Sequence, residues 1–257
     1  MGLKLPMESD FLERYSRNII LREIGGMGQK RLSLSKVLII GAGGLGTPAM
    51  TYLVASGVGK LGIVDYDTVS LSNLQRQVLF GVEDIGKFKV DVAQLQLSSL
   101  NPNTEIVTYR DELSKDNIET VFNGYDLILD GTDNYPTRYL INSYCFKKEK
   151  PLLFGAISQW DGQVGLYDPK RRSACFECLF PEQNNSQVEM NCSENGVFGP
   201  LVGIIGALMA AEAVKFITRA GRTLTNELIL YDALSGQMRR YQSQFRLNCK
   251  VCSLKES

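Results

Sequence analysis

An apolar run, KVLII at Lys36 to Ile40, opens directly into the glycine turn GAGGLG at Gly41 to Gly46. A run without polar alternation suits a parallel strand buried on both faces. Gly41, Gly43 and Gly46 fit the G-x-G-x-x-G spacing, which permits a tight turn and close approach of backbone to a phosphate. A helix is expected from Gly44 to Ser56, its first N–H groups unpaired and open to an anion. A second apolar run, at the head of KLGIVDYD, ends at Asp65, nineteen residues after Gly46, where an acid accepts from ribose hydroxyls. Strand, glycine turn, helix and acid-tipped strand make a βαβ unit of the Rossmann kind. The motif alone does not separate NAD from FAD or ATP. Glycines that only turn a loop, and an Asp65 that only closes a turn, stay open as readings.

The alternation continues downstream. A helix is expected over Lys87 to Leu100, a strand at TEIVTY, a helix over Lys115 to Phe122, a strand at DLILDGT and a helix over Tyr135 to Lys148. Ahead of the first strand, Phe11, Tyr15, Ile19 and Ile20 recur at helical spacing, and Gly25-Gly26 are expected to end that segment. From Pro151 onward, LLFGAISQWDGQVGLYD and ELILYDALSGQMRRYQSQF read as additional strands of antiparallel character. The stretch between them, residues 181–200, is polar and reads as a loop. The expected fold is α/β: a doubly wound, mostly parallel sheet extended by antiparallel C-terminal strands. One domain is expected over 1–257, with a helical segment at 1–34, a nucleotide-binding half at 35–150 and a partner-binding, metal-binding half at 151–257.

Composition narrows the function classes. Lys and Arg number 28 and Asp and Glu 28, so no basic field points to nucleic acid or an anionic membrane. The N-terminus shows no signal-peptide pattern, and Pro6 breaks a myristoylation motif. The most apolar stretch, Leu201 to Ile217, carries Glu212 and Lys215 and is expected to be a buried helix rather than a membrane span. A soluble, cytoplasmic protein is the expectation. Histidine is absent. The commonest general base and the commonest zinc ligand are therefore missing, and any chemistry must use Asp, Arg, Lys or Cys.

A second cluster follows the acid-tipped strand. Asn73 and Arg76 lie in SLSNLQRQ and Lys89 in DIGKFKVD, on the carboxyl side of the expected sheet where ligands bind. Asp133, in DGTDN, follows another apolar strand into the same crevice. An aspartate there suits Mg²⁺, which takes carboxylates together with phosphate oxygens. The plain alternatives are solvated surface charges for Arg76 and Lys89 and a helix N-cap for Asp133. This collection favours phosphate chemistry over hydride transfer.

In this order and spacing, VLIIGAGGLG, IVDYDTVSLSNLQRQ, IGKFKV and LDGTDN resemble the MoeB/ThiF/HesA family, relatives of the ubiquitin-activating enzymes. The likeness runs from RYSRN near the start to the final CKVC. The resemblance implies ATP- and Mg²⁺-dependent adenylylation of the C-terminal glycine of a small ubiquitin-like sulfur carrier ending in Gly-Gly, for molybdopterin or thiamine synthesis. It implies that Gly41, Gly43, Gly44 and Gly46 cradle the nucleotide and that Asp65 binds the ribose. It assigns Asn73, Arg76 and Lys89 to the phosphates, and Asp133 to the metal and the reacting phosphate. Arg17 matches an arginine that reaches the ATP of the neighbouring subunit of a homodimer; on its own it reads as a helix-surface residue. Two further readings stand beside this one: an NAD-dependent oxidoreductase on the same βαβ unit, and activation of a different protein or peptide C-terminus.

The cysteines form a separate signal. Cys175 and Cys178 make one C-x-x-C and Cys249 and Cys252 another, together the four thiolates of a closed structural zinc site. Redox-active disulfides are the alternative. Cys145 sits in an apolar, helix-like context and reads as packing. Cys192 lies in the polar loop; in ThiF-like members a cysteine there joins the carrier through sulfur, whereas in MoeB-like members it is dispensable. No rhodanese-like extension follows Cys252, so a separate sulfur donor is expected if sulfur is transferred at all.

Overall fold

The structure is a computed structural model, described over residues 8–171, 173–182 and 196–253. Its frame is an eight-stranded sheet of order β3-β2-β1-β4-β5-β6-β7-β8. The strands β1 (Lys36–Ile40), β2 (Lys60–Val64), β3 (Glu105–Tyr109), β4 (Leu127–Asp130) and β5 (Leu152–Ser158) run parallel. Then β6 (Asp161–Tyr167), β7 (Glu227–Asp232) and β8 (Gln237–Gln242) continue it antiparallel. The chain leaves β1 in one direction for β2 and β3 and crosses back for β4. The carboxyl ends of β1 and β4 therefore flank the switch point at which open α/β sheets bind ligands.

The unbroken apolar run of β1 is explained by its two buried faces. Val37 and Ile39 enter one core with Leu32 of α2 (Gly25–Leu34), Ala49 of α3 (Gly46–Ala55), Ala93 of α4 (Lys89–Leu100) and Ile205 of α8 (Gly199–Thr218). Leu38 and Ile40 enter a second core with Val121 of α5 (Ile118–Phe122) and Ile141 of α6 (Tyr135–Lys147). Helix α8 is apolar and long enough to cross a bilayer, yet it packs as a core helix. It lies so close to the sheet that a Cβ on Gly155 or Gly162 would come within 2.4 Å of Met209 or Ile205. Its Glu212, 5% exposed, accepts from the Leu224 N–H at 3.0 Å and pairs with Lys215. A buried acid is tolerable only with such partners.

Two expectations are corrected. Gly25-Gly26 do not end the N-terminal segment: α1 (Glu8–Ile19) stops earlier, and Gly25, at φ +57, opens α2 instead. That conformation is one glycine adopts at little cost. Strand β5, expected among the antiparallel additions, pairs parallel with β4 through Ile128–Leu152 to Asp130–Phe154, and the reversal begins only at β6. The outermost strand, β8, is exposed throughout and carries Arg239 and Arg240, charges that discourage edge-to-edge pairing.

Candidate active site

A cleft of about 910 Å³ opens over the switch point. Its floor is the glycine turn. A Cβ on Gly46 would lie 1.9 Å from the carbonyl oxygen of Gly41, so only glycine closes the turn this tightly. Gly43 and Gly44 line the cleft, and no hydrogen bond from their N–H groups is made to the described residues, which suits an anion at the start of α3. Asp65, at the tip of β2, accepts from the Ala42 N–H at 2.7 Å and from the Asp67 N–H at 2.8 Å. Its carboxylate thereby fixes the turn to the neighbouring strand. Burial pushes the Asp65 pKa up, and the Lys89 ammonium works against that rise.

The cationic wall comes from the segment between β2 and α4. Asn73 ends a short 3₁₀ turn over Leu71–Asn73, and its side-chain oxygen accepts from the Ser70 N–H at 3.3 Å. Its amide nitrogen is left to donate to a ligand. Arg76 spends one nitrogen on the Ser72 carbonyl at 3.0 Å and lines the cleft with its remaining donors. Lys89, 5% exposed at the first position of α4, pairs with the Asp67 carboxylate at 2.7 Å. An ammonium so enclosed requires a charge partner, and a surface reading no longer describes it.

Opposite stands the loop from β4 to α6. Asp133 is exposed and lines the cleft, whereas its neighbour Asn134 caps α6 by accepting from the Thr137 N–H at 2.9 Å. The capping task considered for Asp133 thus belongs to Asn134. Burial raises the pKa of Tyr66, and the carboxylates of Asp67, Glu112, Asp65 and Asp133 add to the rise. Converging acids beside unpaired N–H groups and cations form a donor set that suits a divalent ion carried in on phosphate oxygens.

Of the residues expected to act together, Gly41, Gly43, Gly44, Asp65, Asn73, Arg76, Lys89 and Asp133 all line this one cleft. Gly46, buried at the start of α3, and Arg17, exposed on α1, are not among the residues lining the cleft. Cys192 lies outside the described residues. Sequence reasoning missed Asp67, Tyr66, Gln77 and Arg138, which also line the cleft. The second acid of DYD and the last residue of SNLQRQ were visible signals for two of them; Arg138, inside a helix, gave none.

Away from the cleft, the sulfurs of Cys175, Cys178, Cys249 and Cys252 all lie within 4.8 Å of one another. Neighbouring separations are 3.9 Å for Cys175–Cys178, 3.6 Å for Cys175–Cys249 and 3.2 Å for Cys178–Cys252. A zinc ion bound by four thiolates at about 2.3 Å sets sulfurs about 3.8 Å apart. The four-cysteine cluster is compatible with zinc. Cys145 is fully buried, and its thiol is pushed well above the ordinary range by burial. It packs as expected.

The ThiF family model matches residues 15–251. The sulfur carrier protein adenylyltransferase of Thermus thermophilus is 44% identical over 245 residues, 94% of this chain and 90% of the relative. The adenylyltransferase and sulfurtransferase MOCS3 of Culex quinquefasciatus is 41% identical over 248 residues. The match takes in 96% of this chain and 56% of that protein, so the chain spans about half the length of such relatives. Among solved structures, E. coli MccB with ATP superposes with a TM-score of 0.82 at 26% identity, covering 93% of this chain and 74% of that one.

Proposed function

Because this chain belongs to the ThiF family, we propose that it is an adenylyltransferase that uses ATP to activate the C-terminal carboxylate of a small sulfur carrier protein. The observation that carries the reading is a single cleft lined by the glycine turn (Gly41, Gly43 and Gly44), by Asn73, Arg76 and Lys89, and by Asp133. A hydride-transfer enzyme needs no such concentration of cations around phosphate. An incoming carboxylate oxygen bonds to the α-phosphorus, the bond from that phosphorus to the bridging oxygen breaks, and pyrophosphate leaves. A C-terminal carboxylate, with an ordinary pKa of about 3.5, is already ionised at neutral pH, so the missing histidine is no obstacle. What the residues supply is position and charge. Asp65 holds the ribose end, Arg76 and Lys89 meet the growing negative charge on the triphosphate, and Asp133 would hold Mg²⁺. When bound, that ion neutralises phosphate oxygens and helps orient them. The four cysteines would hold one structural zinc, and Arg17 would reach the cleft of a second copy in a homodimer.

Activation of another protein or peptide C-terminus is the second reading. It is favoured by the likeness to MccB, one structure of which is of MccB with MccA-N7isoASN, at TM-score 0.82 and 25% identity. Carrier-dependent ATP–pyrophosphate exchange tests both readings. Exchange is expected with a carrier ending in Gly-Gly and lost when its last glycine is deleted. Arg76→Ala is expected to lower the rate about 10³-fold. A chain whose melting point rises with NAD but not with ATP, and which exchanges with no carrier, overturns the assignment.

A further inference from the structure

Asp133 is exposed, yet a metal-holding carboxylate must be placed within a fraction of an ångström to be useful. The backbone around it is unusually restrained. Gly131 N–H donates to the Ile40 carbonyl at 3.0 Å. Thr132 donates to Asp130 Oδ1 from both its N–H, at 2.9 Å, and its hydroxyl, at 2.6 Å. The Thr132 carbonyl, one residue before Asp133, accepts from Nη2 of Arg138, and the same nitrogen donates to the Gly155 carbonyl of β5 at 2.8 Å. Arg138 is 5% exposed, and its guanidinium lies 5.8 Å from the centre of the Phe176 ring. Its Nη1 stands 3.6 Å from Asp130 Oδ2, and neither atom makes a hydrogen bond.

A buried ion pair with imperfect geometry is a poor device for stability, since desolvation offsets much of the attraction. What the guanidinium achieves is a bridge. One nitrogen fixes the loop that carries Asp133 to β5, in a place where an apolar side chain of similar size could only fill space. We propose that Arg138 is the positioning residue for Asp133, setting that carboxylate at the cleft wall without itself meeting the reacting atoms. The inference rests on the assignment of Asp133 made under the proposed function.

Arg138→Lys and Arg138→Gln test it, each keeping a donor but losing the fork, with Asp133→Asn as reference. Exchange kinetics are read per folded protein. Binding of Mn²⁺ in the presence of a non-hydrolysable ATP analogue is read by electron paramagnetic resonance. The expected result is a variant melting within about 5 °C of the parent. Its kcat should be lower by about 10²-fold, with KM for ATP changed less than about threefold. Its Mn²⁺ binding in the analogue complex should be weakened alongside. Parent-like kcat and Mn²⁺ binding in a folded Arg138 variant, while Asp133→Asn is inactive, overturn the positioning role alone. Normal exchange by Asp133→Asn overturns the reading of Asp133 and the positioning with it. Should both Arg138 variants be unfolded at the assay temperature, the residue serves the fold and the proposal fails.

Discussion

Asp133 and Asn134 stand side by side at the end of β4, and the residue scale is where their tasks part. Either is a good helix cap by chemistry. Backbone direction hands the cap to Asn134 and leaves Asp133 facing the cleft. Asp84 shows a similar local decision in the segment leading to Lys89. It is buried, accepts from the Gly81 N–H at 3.0 Å and pairs with Lys87 at 2.9 Å. These two contacts, the backbone one first, hold its carboxyl below the usual carboxylate range. A depressed acid contributes stability that is present above its unfolded pKa of about 3.9 and lost as pH falls through the lower folded value. Asp84→Asn should therefore cost about 1–2 kcal/mol at pH 7, Lys87 being too exposed to add much. In thermal melts from pH 7 to pH 3, the gap to the parent should close at the acid end. A gap that is constant with pH would show that the charge of Asp84 is irrelevant.

Helix α8 governs the element scale. It presses on α3, whose N-terminus forms the floor of the cleft, and the approach is limited by Gly206. A Cβ there would fall 2.3 Å from Pro48 Cγ and 2.6 Å from the Leu45 carbonyl oxygen. Gly203, one turn earlier on the same helix, is exposed and meets nothing within 4 Å. Gly206→Val should destabilise by about 1–3 kcal/mol through overpacking, and it should weaken ATP binding because α3 is displaced with it. Gly203→Ala should be neutral or stabilising by up to about 1 kcal/mol through helix propensity. Melting curves with and without ATP separate the two. Equal effects at both sites would remove the packing argument. The apolar length of α8 was readable from its sequence, but which of its glycines touches α3 was not, since that depends on Leu45 and Pro48, far earlier in the chain. The parallel direction of β5 was hidden for the same reason: LLFGAIS has the same composition whichever way its partner runs.

At the scale of the whole molecule, a zinc held by the four cysteines would close a loop of 74 residues, from Cys175 to Cys249 and from Cys178 to Cys252. Treated as a cross-link on the unfolded chain, that closure is worth about 4 kcal/mol, or about 10 °C in melting temperature for a chain of this size. With zinc bound there as proposed, a strong chelator should lower the melting point by an amount of that order and expose the segment after Gln242 to limited proteolysis. Full retention of both melting point and protection would exclude a metal tie. The cluster also borders the cleft indirectly. Phe176, between the first two cysteines, anchors its N–H on Asn142 of α6 at 2.9 Å and supports Arg138 with its ring. Loss of the metal should therefore reduce activity more than it reduces ATP affinity.

The sequence by itself determined the βαβ unit, the glycine turn, the acid at the end of β2 and the cysteine pairs. Each is a local pattern, a glycine spacing, an apolar run or a C-x-x-C pair, that can be read within a few neighbouring residues. Only the tertiary structure decided that Lys89 is held by Asp67, that Asn134 rather than Asp133 caps α6, and that Arg138 joins the β4 loop to β5. The cap depends on the backbone direction at the end of β4 and the other two on the distance and burial of groups brought together by the fold, and a buried charge reveals its task only when its partners are in place.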